Sequence, residues 1–123
     1  MRLALAILMA LHGIAHMVGF AGSWQLAASS DLPYKTTVLN GRLDLGDKGI
    51  RALGVLWVVA ALAFVLVAAG AVLDAGWWAK AAVVTAVGSL ALTLLELPAA
   101  RIGLVLNLFL ITVLLLIQQF HWI

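Results

Sequence analysis

The sequence predicts an all-α integral membrane protein, a four-helix bundle with one long loop between its first and second helices. Three observations carry this. First, 66% of the 123 residues are hydrophobic and 10% are charged, with a mean hydropathy of +1.20. A soluble domain carries about 25% charged residues, so this chain has too few to cover a globule in water. Second, four runs reach the roughly 20 apolar residues that cross a bilayer as helix. Third, the connections after the second and third runs are very short, which makes those neighbours antiparallel and adjacent. The length fits a single domain, residues 1–123.

The first helix is expected over about residues 3–24. Arg2 followed by "LALAILMAL" also resembles the opening of a signal peptide. The apolar run outlasts the 7–15 residues of such a segment and is interrupted by histidines, so an uncleaved helix is expected. The second helix is expected over about 51–73, in "RALGVLWVVAALAFVLVAAGAVL". The third is expected over about 78–97, stopped by Pro98, which cannot continue a helix. The fourth is expected over about 102–122.

In the long loop, "TTVLNGRLDL" sets Asn40-Gly41 between two alternating stretches, a type I′ hairpin signal. A small surface hairpin is the simpler expectation, and folding back over the bundle would need a site beneath it. Asp47 is placed to cap the second helix. Trp24, Trp77, Trp78 and Trp122 fall near helix ends, as interfacial anchors do.

Charge gives orientation. Lys35, Arg42, Lys48, Arg51 and Arg101 lie on the long-loop side, and Arg2 and Lys80 on the other. Five against two puts the long loop in the cytoplasm and both termini outside. These bases flank apolar runs, so the pI near 9.5 marks topology and not a nucleic-acid surface. The absence of cysteine excludes disulfides, thiolate metal sites and thiol nucleophiles.

Polar residues inside the helices are few, so their phase is informative. At about 100° per residue, His12 and His16 share a face, extended by Gly19 and Ser23. Thr85, Ser89, Thr93 and Glu96 form a stripe on the third helix, and Gly103, Asn107, Gln118 and His121 on the fourth. The second helix offers Gly54, Ala61 and Ala68, with Trp57 alongside. Such stripes find partners across a bundle because lipid offers none.

At about 1.5 Å per residue from the long-loop side, His16 and Ser89 lie roughly 12 Å deep, and Asn107 and Trp57 roughly 9 Å. The candidate ligand-binding group is therefore His12, His16, Glu96 and Asn107, surrounded by Trp57, Ser89 and Thr93. Each residue has a plainer reading. Glu96 can pair with Arg101 at the interface, where charges snorkel. Ser89 and Thr93 can bond back to their own helix. Asn107 can simply join helices, and the histidines can be a buried structural pair.

The i, i+4 histidines of "HGIAH" can reach one metal, but the pattern lacks the glutamate of H-E-x-x-H and an evident third ligand. Haem needs only one histidine. Acid–base chemistry on a lipid-like substrate, of isomerase or hydratase type, would use a histidine, Glu96 and the Trp57 face. A quinone carbonyl could also be held. No phosphate loop or nucleophile elbow is present.

With "GIRALGVLWVVAALAFVLVAAG" opening the second helix and "LPAARIGLVLNLFLI" entering the fourth, the chain resembles the DoxX-like small membrane proteins. The resemblance implies a bacterial cytoplasmic-membrane subunit acting with a larger oxidoreductase complex, and carries over no site residue; a homo-oligomer is the other assembly expected. The expected function is binding of a lipophilic molecule, lipid or quinone, or service as a small subunit of a membrane oxidoreductase complex, with a membrane-embedded acid/base enzyme as the alternative.

Overall fold

The structure, a computed structural model, describes residues 1–26 and 34–121. Trp122, one of the expected anchors, lies outside the described residues. The element order is α1 (Arg2–Ala15), α2 (Met17–Ser23), β1 (Thr37–Val38), β2 (Leu43–Asp44), α3 (Gly46–Val72), α4 (Trp78–Leu95) and α5 (Arg101–Gln119). Four helical stretches, with α1 and α2 counted as one, are long and apolar enough to cross a membrane.

The first stretch is broken where continuity was expected. In an unbroken helix the His16 N–H would bond the carbonyl of His12. Here it bonds Gly13 O at 3.0 Å, while the His12 carbonyl accepts from His16 Nδ1 at 2.6 Å. A side chain has displaced the backbone from its own ladder, and the helix tightens and resumes at Met17. Both halves lie against α3 because glycines permit it. A Cβ on Gly13 would come 2.7 Å from Phe64 Cβ, and one on Gly19 2.6 Å from the Trp57 ring.

Helix α3 starts earlier than expected. Asp47 does not cap it but sits in its first turn. Asp44 Oδ1 accepts instead from the first helical N–H, that of Gly46, at 2.9 Å. Asp47 accepts the hydroxyl of Tyr34. The buried Gly54, Ala61 and Ala68 follow the expected inner stripe.

The hairpin is antiparallel, with Thr37 opposite Asp44 and Val38 opposite Leu43. Its loop is Leu39–Arg42 rather than the two residues Asn40-Gly41, and Leu39, Asn40 and Gly41 all have positive φ. It is docked rather than free on the surface: Val38 is 1% exposed among Ile50, Leu53, Trp57 and Leu92. Leu39 N–H donates to Leu95 O at 2.8 Å, satisfying a terminal carbonyl of α4. That helix ends at Leu95, two residues before the expected stop, and the Leu97–Pro98 peptide beyond it is cis.

Two apolar clusters result. One joins Leu5 and Met9 with Phe64, Val67, Ala82, Ala86, Leu110 and Leu114, at the end away from the long loop. Trp78, expected as an anchor, is 4% exposed and belongs to this cluster, whereas Trp24 and Trp77 are outward. Trp24 Nε1 donates to Arg51 O at 3.0 Å, and the Arg51 guanidinium lies 5.3 Å from its ring centroid. The second cluster, nearer the long loop, is built from α3, α4 and β1. No residue of α5 belongs to it.

Candidate functional site

Between the two clusters three of the four stretches contribute polarity: His12 and His16 from the first, Ser89 from α4, Asn107 from α5. All four are at most 5% exposed. The bonds among them form one chain whose direction the chemistry fixes. A carbonyl oxygen only accepts, so His16 Nδ1 carries the proton it gives to His12 O. Nε2 of the neutral ring then accepts, and Ser89 Oγ donates to it at 2.5 Å. Ser89 Oγ in turn accepts from Asn107 Nδ2 at 2.9 Å. That leaves Asn107 Oδ1 to accept from His12 Nε2–H, also at 2.9 Å. Each contact in the ring then has one donor and one acceptor.

His12 Nδ1 alone among these ring nitrogens has no hydrogen-bond partner among the described residues. It is not sealed away either, because the only fully buried unpartnered side-chain nitrogen or oxygen among the described residues is Arg2 Nε. Aromatic packing holds the two rings. They meet edge to face at 4.7 Å between centroids and 81°, with Phe64 5.0 Å from His12 and Trp57 5.3 Å from His16.

Both histidines line a cavity of about 420 Å³, within the size range of small-molecule sites. It occupies the place where the second cluster has no α5 residue. Ala15, Val18 and Gly19 wall one side, Ile102, Gly103 and Leu106 the other, and Trp57 and Ile50 line it from α3. Among the lining residues Ala15, Val18 and Ile102 are exposed on the outer helix faces and Lys35 and Ala99 at the loop end, so the cavity opens both between the first stretch and α5 and toward the long-loop side.

The expected group is thus partly divided. His12, His16, Ser89 and Asn107 are bonded together. Ser89 does not bond back to its own helix, whereas Thr93 does, through Leu90 O at 2.8 Å, while still lining the cavity. Trp57 packs on His16. Glu96 makes no ion pair with Arg101; among the described residues the ion pair is Arg2 with Asp74, 3.1 Å apart. Glu96 lies one residue beyond α4, at the cavity rim with Lys35. Burial pushes its carboxyl above the ordinary range, and Lys35 pulls it back by less. Gln118 sits far from this group, with its amide near Ala79 O and Leu114 O.

Sequence reasoning missed Phe64 and Lys35. Phe64 was legible: seven residues after Trp57, it shares that helix face. Lys35 reaches the rim through the docked hairpin and had no local signal.

A metal shared by His12 and His16 does not fit. Both nitrogens of His16 are engaged, so only one lone pair remains, and no group of three His, Asp or Glu able to hold a metal occurs among the described residues. What the arrangement offers is one unpartnered acceptor on a largely buried ring, in a mostly apolar chamber with Glu96 and Lys35 at its rim. Comparison with family models, curated proteins and solved structures gives no match to this chain.

Proposed function

We propose that the chain is a multi-pass membrane protein that takes up a lipophilic small molecule from the bilayer and holds its polar head against His12. The supporting observation is the side-opening, largely apolar cavity of about 420 Å³ lined by His12, a largely buried residue whose ring keeps one nitrogen without a hydrogen-bond partner among the described residues. An apolar chamber with few polar points is how small-molecule sites combine affinity with orientation. An opening between helix faces that would meet lipid suits a ligand dissolved in the membrane. The long loop is placed in the cytoplasm and both termini outside, by the positive residues on the loop side.

A second reading is favoured by one specific feature. His12 and Glu96 line the same cavity, so a bound molecule could exchange a proton with either. In that case the site would isomerise or hydrate its ligand.

Native mass spectrometry of protein released from bilayers tests the proposal. A defined added mass is expected on the wild type and is expected to be lost when Ala15→Trp fills the opening. A bare mass from bilayers, and no uptake of added long-chain phenols or alcohols, would overturn it.

A further inference from the structure

The direction of the hydrogen-bond chain says which kind of head group the cavity accepts; this rests on the proposed uptake of a lipophile. His12 gives its Nε2 proton to Asn107 Oδ1, which is held in that orientation because the amide's other end donates to Ser89. Ser89 cannot reverse, because its proton goes to His16 Nε2, and His16 cannot reverse, because its Nδ1 faces a carbonyl. The tautomer of His12 is therefore set from a backbone oxygen through three side chains. Among the described residues no carboxylate touches the His12 ring in any hydrogen bond or ion pair, so nothing there compensates a charge and the ring is neutral. Its free Nδ1 is then a lone pair, which accepts and cannot donate.

We infer that the site selects lipophilic molecules whose head group donates a hydrogen bond, a phenol or alcohol hydroxyl, over those that only accept, such as an ether, ester or quinone carbonyl. A carbonyl placed against Nδ1 would set lone pair against lone pair in a largely apolar chamber, where an unmade bond is costly. The expected use of the site for a quinone carbonyl is thereby reversed in sense.

The test compares a long-chain 4-alkylphenol with its O-methyl ether, matched in chain length, binding to protein in nanodiscs. The phenol is expected to bind roughly tenfold more tightly, the fold-change a buried hydrogen bond supplies. His12→Phe, which keeps an aromatic ring but no lone pair, is expected to bring the two ligands level. Asn107→Leu, which frees the His12 tautomer, is expected to shrink the preference. Equal binding of both ligands to the wild type overturns the selection for donors and leaves the uptake of lipophiles standing. Failure of both to bind overturns the uptake as well. A tenfold preference that survives in folded His12→Phe shows that another group reads the hydroxyl, and overturns the assignment to His12.

Discussion

Ser89 is the smallest side chain of the network and the one that joins α4 to the first stretch and to α5. Its hydroxyl serves His16 Nε2 and Asn107 Nδ2, and no exposed surface remains on it. Ser89→Ala leaves two buried groups short of a partner, which costs about 1–3 kcal/mol. Denaturant unfolding in detergent is expected to show a loss of that size, and an unchanged midpoint would contradict the network. Glu96 gives a pH signature. Its folded pKa is raised by burial, so the folded state binds more protons than the unfolded one above the unfolded value. Its contribution to stability is therefore fullest at low pH and is lost as pH rises through the folded pKa. Glu96→Gln is expected to gain on the wild type in thermal unfolding as pH is raised from about 4 to 8; parallel curves would contradict this. Helical phase alone brought His12, His16, Ser89 and Asn107 to one interior, since polar groups spaced by three and four residues have nowhere else to turn. The direction of their bonds was not legible, because it hangs on the break at His16. The i, i+4 spacing that suggested a shared ligand is what lets His16 Nδ1 take the carbonyl one turn back.

At the scale of elements, the first helical stretch depends on close approach to α3. Gly19→Ala would set a methyl 2.6 Å from the Trp57 ring, which is 6% exposed and held among other buried groups. The expected cost is about 1–3 kcal/mol of strain, with Trp57 displaced from His16 and a shifted tryptophan fluorescence maximum. An unshifted spectrum and full stability would mean that the two elements are not tightly packed. The four long helices were legible because each is a run of apolar residues with few interruptions, and the short links left their neighbours no choice. The ends were less so. Helix α3 begins early because Asp44, not Asp47, meets its first N–H, and α4 stops early because the hairpin's Leu39 takes the carbonyl of Leu95. Both are contacts made across the fold by a loop whose sequence announces only a turn.

At the scale of the molecule, Arg2 and Asp74 bind each other at one end, while Lys35 and Glu96 line the cavity toward the other. The chain has no native cysteine, so single-cysteine labelling is clean. Gly76→Cys is expected to react with an impermeant reagent from outside the cell and Leu43→Cys only after permeabilisation; the reverse pattern would invert the topology. The cavity itself was not legible in the sequence. It exists because the second apolar cluster is filled from α3, α4 and the hairpin but not from α5, an absence that no local pattern records. The central claim is that a membrane-dissolved molecule enters this space. It is tested most directly by photolabelling the protein in vesicles with a diazirine-bearing long-chain alcohol and mapping the adducts. The account predicts adducts on Trp57, Gly103 and Leu106, which line the cavity, and competition by an unlabelled alkylphenol. Adducts confined to outward residues such as Leu62 and Val84, 66% and 72% exposed, with Trp57 unlabelled, would contradict it.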